Sequence, residues 1–164
     1  SSLTKLKILS LSDNLIESIE PLASLTNLVE LRLSNNRLRQ ISSLGKLIKL
    51  KTLTLYRNQI VEVPSFLELH QLENLDLAYN SLIDVTPLAS HTTLAQLDLR
   101  GVDTTFDLRP LGEHSALRTL IMNTKVEKEL CPHEATNPAM LQYCQQFWPK
   151  KTKKKRKKRR RKKK

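Results

Sequence analysis

The chain has 164 residues, enough for one domain with a substantial core, and its composition of 39% hydrophobic but only 4% aromatic residues makes that core aliphatic. The net charge of +12 is unevenly distributed, because residues 150–164 hold 14 of the 28 lysines and arginines and no acidic residue, which leaves residues 1–149 at −2. This partition excludes a basic nucleic-acid-binding domain as the folded body and separates that body from a polycationic tail.

The body carries a sequence pattern that recurs every 22 residues. Its first copy consists of Leu6, Leu9, Leu11, Asn14 and Ile16, and the same spacing returns three times. A fifth unit begins at residue 94, and a sixth begins one residue late at residue 117. Leucines that alternate with other residues at a period of two indicate short strands with one buried face. Stacking such strands at about 4.8 Å predicts a parallel sheet of about six strands.

This pattern resembles the leucine-rich-repeat family over roughly residues 3–127. The 22-residue unit is similar to the short intracellular class, which includes regulatory subunits of type 1 protein phosphatase and centrosomal or axonemal proteins. The resemblance implies an α/β fold, a right-handed solenoid of about six repeats with its parallel sheet on the concave face. It also implies an interaction scaffold without catalysis.

One asparagine recurs where each strand ends and the chain turns. It is present in the first four units, as Asn14, Asn36, Asn58 and Asn80. A side-chain amide can both donate to and accept from backbone groups that a turn leaves unpaired inside the stack. Val102 and Lys125 replace it in the last two units, so we expect the asparagine ladder to end after Asn80 and the chain at 101–108 to be less regular.

The pattern also predicts the domain boundaries. Residues 1–127 form the repeats, 128–149 a C-terminal cap with a helix, and 150–164 a disordered polybasic tail. Asn137 and Pro138 are typical of a helix start, and Leu141 and Cys144 follow at helical spacing. Because the chain starts partway through a unit, we expect an N-terminally truncated repeat array without its opening cap.

The outward-facing strand positions are the candidate partner-binding site. Tyrosine and arginine are enriched in binding hot spots, and they cluster on neighbouring units here. Asp76 and Asp98 lie side by side on adjacent strands, which is unfavourable unless a basic group relieves the repulsion. The predicted partner-binding residues are Arg32, Tyr56, Arg57, Asp76, Tyr79, Asp98 and Arg100. The alternative is a solvated sheet face on which charges pair incidentally.

The tail suggests a second function, as a nuclear or nucleolar import signal or a contact to nucleic acid or acidic surfaces without sequence preference. No aromatic residue interrupts the run, so base stacking has no side chain to act through. The alternative is that the run is the translation of a purine tract and is not a biological element. The predicted targeting or polyanion-binding residues are Lys153, Lys154, Lys155, Arg156, Lys157, Lys158, Arg159, Arg160 and Arg161.

Other chemistry is poorly supported by the sequence. Cys131, His133 and Cys144 have no fourth metal ligand at a familiar spacing, so we expect no metal. No catalytic constellation or phosphate-binding loop is recognisable, so we expect no cofactor and no enzyme. His91 and His114 replace a core leucine and are interpreted as packing residues.

The setting of the protein follows from its cysteines and its apolar runs. Two cysteines are too few for a disulfide framework, and we expect a reducing intracellular compartment, the cytoplasm or, if the tail is genuine, the nucleus. No apolar run is long enough to span a membrane, and we expect a monomer. Phe147 and Trp148 with a lipidated Cys144 are a weaker, membrane-surface alternative to packing of the cap helix.

Overall fold

The structure is a computed structural model that describes residues 3–102, 107–123, 131 and 137–147. Six short strands form one parallel sheet in chain order. Their bounds are β1 Ile8–Ser10, β2 Glu30–Arg32, β3 Thr52–Thr54, β4 Asn74–Asp76, β5 Gln96–Asp98 and β6 Thr119–Ile121. The predicted solenoid with its parallel sheet is confirmed. The tail and residues 124–130 lie outside the described residues, so the domain boundaries stay predictions.

The sheet register repeats the sequence period. Leu9 pairs with Leu31 and Leu31 with Leu53, so equivalent residues of consecutive units lie side by side. At the last step Leu97 pairs with Leu120, which is the 23-residue spacing of the sixth unit. Each sequence column therefore becomes a straight row of side chains across the sheet.

The opposite side of the solenoid is built from short 3-10 helices. These span Glu20–Ser24, Ser42–Lys46, Thr86–Leu88 and Arg109–Glu113. Three of them carry a proline in the first turn, where its missing N–H is not needed and its fixed φ suits the helix. A helix this short occupies few residues, which allows a 22-residue unit to close.

Leucine fills the space between the sheet and these helices. The rows of inward leucines are fully buried from the second unit to the fifth, as at Leu31, Leu53 and Leu97. Val102, at the asparagine position of the fifth unit, is also buried, with 2% of its surface exposed. An apolar side chain there joins the core and cannot form the side-chain hydrogen bonds that asparagine makes to the turn.

The asparagines connect consecutive turns. Asn58 Oδ1 accepts the Leu38 N–H at 3.0 Å, while its Nδ2 donates to the carbonyls of Leu33 and Leu55 at 3.0 Å each. Asn80 repeats this one unit later, accepting the Ile60 N–H at 3.0 Å. Because each amide bonds both its own unit and the preceding one, the asparagines hold the stack in register.

A helix covers the last strand. The α1 helix spans Pro138–Phe147, and the Asn137 side chain caps it by accepting the N–H groups of Ala139 at 2.8 Å and Met140 at 3.1 Å. Asn137 Nδ2 also donates to the His114 carbonyl, which ties the cap to the repeats. The predicted helix start is therefore confirmed.

Cys131 and Cys144 differ from expectation, since they form a disulfide. The cap helix brings their Cα atoms to 6.1 Å, within the range that a disulfide can bridge. Sequence spacing alone did not reveal this proximity, because it depends on how the helix docks. Disulfides are typical of oxidising compartments, and the compartment of this protein stays a prediction.

Candidate functional site

The concave edge of the sheet carries a row of residues in the left-handed backbone conformation. Consecutive units place Asp13, Asn35, Arg57, Tyr79 and Gly101 there, with φ of 59°, 53°, 51°, 55° and 70°. Aspartate, asparagine and glycine adopt this conformation readily, whereas other side chains pay about 1–2 kcal/mol for it. Arg57 and Tyr79 are thus the two members of the row whose residue types are unfavourable in this backbone conformation.

These two residues meet Tyr56 in an aromatic–cation cluster. The rings of Tyr56 and Tyr79 are edge to face, with centroids 5.3 Å apart and planes at 72°. Arg57 Cζ lies 5.2 Å from the Tyr56 centroid and 5.7 Å from the Tyr79 centroid. Edge-to-face rings and a guanidinium over a ring face attract one another, so the three side chains hold a defined arrangement.

Gly101 supports the cluster from the next unit. A Cβ at this position would lie 2.6 Å from Tyr79 Cδ1, so the absence of a side chain lets the ring lie directly against the backbone. The Gly101 N–H donates to Asn123 Oδ1 at 2.7 Å, which fixes the supporting turn. Tyr79 nevertheless remains 41% exposed and available for contact.

Beside the cluster lies a set of charges on β4 and β5. Arg100 Nε donates to Asp98 Oδ1 at 3.0 Å and Arg100 Nη2 donates to Asp98 Oδ2 at 2.7 Å, which makes a bidentate ion pair. Asp76 pairs with Asp98 in the sheet register, and its Oδ1 accepts the Ala78 N–H at 2.9 Å. Burial raises the pKa of the Asp76 carboxyl, with a smaller contribution from the neighbouring Asp98 charge.

The structure groups six of the seven predicted partner-binding residues. We call them the concave patch: Tyr56, Arg57, Asp76, Tyr79, Asp98 and Arg100. Arg32 lies on β2 and is engaged with Glu30, its Nη2 2.6 Å from the carboxylate, so it is not part of the patch. The predicted tail residues lie outside the described chain. That these residues bind a partner stays a prediction.

Two residues that support the concave patch were not predicted. Gly101 was visible in the same sequence column as Arg57 and Tyr79, and a glycine in that column signals a left-handed turn. Asn123 had no such signal, because its bond to Gly101 depends on the stacking of the sixth unit. Spacing places such residues in neighbouring units but does not select their hydrogen bonds.

His91 and His114 are buried, with 4% and 1% of their surfaces exposed. Each Nδ1 accepts the backbone N–H three residues on, from Leu94 and Leu117, both at 3.2 Å. Burial lowers the pKa of both histidines. Both therefore act as neutral packing residues that also bond the turn.

The described residues hold no cluster of metal-ligating side chains. His133 lies outside them, and Cys131 and Cys144 are joined to each other. Among the described helices, none combines the length and apolar character needed to cross a membrane.

The chain resembles solved repeat structures along most of its length. It is 30% identical to an internalin (inlF) of Listeria monocytogenes, with a TM-score of 0.66, covering 76% of this chain and 36% of that one. An internalin C2 (inlC2) of the same organism is 31% identical, with a TM-score of 0.67 and coverage of 74% and 53%. A leucine-rich-repeat protein of Leptospira interrogans is 28% identical, with a TM-score of 0.68 and coverage of 78% and 35%.

The chain thus spans between about a third and a half of these structures. No match was found among curated protein sequences. The short intracellular class stays a prediction.

A family profile described as leucine-rich repeats in two copies matches residues 4–46 and 48–90, which is more than half of the chain. Together with the 22-residue sheet register and the asparagine ladder, this match shows that the chain belongs to the leucine-rich-repeat family.

Proposed function

We propose that the concave patch binds a protein partner and that the protein acts as a scaffold without catalysis. The observation that carries the proposal is the backbone conformation of Arg57 and Tyr79. Two residues that disfavour φ near +50° are held there, and their side chains build an exposed aromatic–cation cluster with Tyr56. Phe66 has the same conformation with its side chain buried in the core, whereas Arg57 and Tyr79 present theirs at the surface, where such conformations are concentrated at functional sites.

Family and composition support the same proposal. The leucine-rich-repeat fold generally mediates protein–protein interaction. Tyrosine and arginine also dominate binding hot spots, because they bury large rigid surfaces or offer several donors. Regulation of a type 1 protein phosphatase and a cytoskeletal or ciliary adaptor role are specific forms of this proposal that rest on the resemblance alone.

The competing interpretation is a solvated sheet face with no partner. It predicts that truncating the tyrosines changes no association of the protein. The experiment is affinity capture with the Tyr56→Ala/Tyr79→Ala variant and with a variant lacking residues 150–164. We expect the tyrosine variant to lose partners that the tail-deleted protein keeps.

A matched control is available on the opposite side of the solenoid. Ile48 and Leu67 are 50% and 51% exposed there, so Ile48→Ala/Leu67→Ala removes a comparable exposed apolar surface. Partners bound by the concave patch should be kept by this control variant. Equal recovery of the same partners by the tyrosine variant and the unchanged protein would refute the proposal.

We also propose a second candidate function, in which the tail binds polyanions and directs the protein to the nucleus. The supporting observation is the charge partition, with 14 basic residues among the 15 of residues 150–164. This interpretation predicts nucleic-acid binding whose logarithm falls linearly with the logarithm of salt concentration and which is lost with the tail. A neutral fluorescent reporter carrying residues 150–164 should enter the nucleus, and a reporter that stays in the cytosol would contradict it.

A further inference from the structure

Among the described residues, the charges at the outward strand positions are paired, with one exception. Each strand unit presents three outward positions, equivalent to residues 8, 10 and 12 of the first unit, and five of these positions across the sheet are charged. Glu30 pairs with Arg32 at 2.6 Å, and Asp98 pairs with Arg100 at 2.7 Å. Asp76 is the remaining one, and within the described chain its carboxylate forms no ion pair.

The position of Asp76 makes this imbalance costly. Its carboxylate is partly buried and lies in register with Asp98 on the next strand, so it meets a second negative charge. Arg100 offsets part of that repulsion but is engaged with Asp98. Ala78, which donates to Asp76 through its backbone N–H, is 0% exposed, so water is excluded on that side. A carboxylate in such surroundings gains more from an added cation than an exposed one does.

The neighbours of Asp76 suit the stem of a long basic side chain. Tyr79 follows Asp76 in the same unit, and the hydrogen bond from Arg57 N to the Ala78 carbonyl at 2.9 Å places Tyr56 and Arg57 in the adjacent unit. Lysine and arginine side chains lay their methylene stems on apolar surface while the charged group reaches a partner. The Tyr79 ring offers such a surface in the same unit as the unpaired carboxylate, and the Tyr56 ring offers it in the adjacent unit.

We infer that the concave patch recognises a protein segment bearing a lysine or arginine, whose cationic group pairs with Asp76 while its stem lies against the tyrosines. The inference rests on the proposed function and specifies the chemistry of the partner. Charge complementarity carries it, because Asp76 is the one carboxylate at the outward strand positions of the described chain without an ion pair, while the Arg57 guanidinium lies against the tyrosine rings. A partner with an acidic residue at this point would place a third carboxylate beside two others.

The experiment is selection of short random displayed peptides on the full-length protein. The library is first depleted on an immobilised peptide of residues 150–164, so that phage binding the tail are removed. We expect the selected peptides to share a lysine or arginine. Asp76→Asn, or replacement of that basic residue by glutamine, should each weaken binding about tenfold, and combining the two should weaken it little further.

Glu30→Gln is the matched control, since it removes a carboxylate of the same sheet face that already has an ion-pair partner. It should leave peptide affinity unchanged. Peptides without a basic residue, no enrichment at all, or equal affinity for the Asp76→Asn variant would each overturn the inference. Tighter, Asp76-dependent binding of the free peptide 150–164 would identify the protein's own tail as the occupant, and would also overturn it.

The same peptides separate this inference from the proposed function. Binding lost in Tyr56→Ala/Tyr79→Ala but kept in Asp76→Asn leaves the concave patch as a binding surface and rejects the basic partner. Binding that survives the tyrosine substitutions and requires Asp76 rejects the aromatic cluster as its centre. Circular dichroism of each variant establishes that the fold is kept.

Discussion

Substitution of Asn58 by alanine tests how the repeats are held together. The substitution removes one acceptor and two donated bonds from a residue that is 9% exposed. The Leu38 N–H loses the Asn58 Oδ1 that it bonds at 3.0 Å. The carbonyls of Leu33 and Leu55 each lose one of their donors.

The three losses are unequal. The Leu33 carbonyl still accepts from Asn36 Nδ2 at 3.0 Å, and the Leu55 carbonyl still accepts from Asn80 Nδ2 at 3.0 Å. The backbone N–H of Leu38 is therefore the group left without a partner. An unsatisfied buried donor costs about 1–3 kcal/mol, so we expect a loss near 2 kcal/mol in the free energy of unfolding. For a protein of this size that corresponds to a fall of about 4–8 °C in Tm.

Asn14→Ala is the matched control. Asn14 is exposed, and its side chain donates only within its own turn, to the carbonyls of Leu11 and Ser12 at 3.1 Å and 3.0 Å. Its removal should change stability by no more than about 0.5 kcal/mol. Asn58→Asp keeps the acceptor for Leu38 but turns an oxygen toward two carbonyls, so it should be at least as destabilising as alanine.

The assay is urea and thermal unfolding followed by far-ultraviolet circular dichroism on all three variants and the unchanged protein. A lower urea midpoint with an unchanged slope m would establish that stability, and not the surface exposed on unfolding, has changed. If Asn58→Ala has the same urea midpoint and Tm as Asn14→Ala, the asparagines do not hold the stack together and the account of the ladder is wrong.

Two further predictions concern buried sites. Because burial lowers the folded-state pKa of His91 and His114, protonation favours the unfolded chain, and stability should fall as pH drops below about 6.5. Chemical denaturation at pH 7 and pH 5 should show a smaller loss of stability for His91→Leu/His114→Leu than for the unchanged protein. An equal loss in the two proteins would refute the assignment of the pH dependence to these histidines. Gly101→Ala should cost about 1–2 kcal/mol and displace the Tyr79 ring, because it adds a Cβ at φ +70°. Gly45→Ala, with no atom within 4 Å of the new Cβ, should be neutral, and equal melting of the two variants would exclude the predicted clash.

Much of the fold could be predicted because repetition makes local signals additive. The alternation around Leu31 or Leu53 predicts short strands, which a single occurrence would not establish. The step from 22 to 23 residues at Leu120 appears unchanged in the sheet register. Burial of the leucine rows and hydrogen bonding of the asparagines follow from the same spacing, since equivalent residues must lie side by side in a stacked parallel sheet.

The sequence by itself therefore determined which residues share a row and which neighbours they have, including Tyr56 beside Tyr79 and Asp76 beside Asp98. Only the tertiary structure decided which ion-pair or disulfide partner each of the outward and capping side chains has. Arg100 pairs with Asp98, so Asp76 has no ion pair within the part of the chain that the structure describes, and Cys131 joins Cys144 through the docking of the cap helix. The physical reason is that an inward side chain can only pack in the core. The rotamers of outward and capping side chains depend on contacts that span several units.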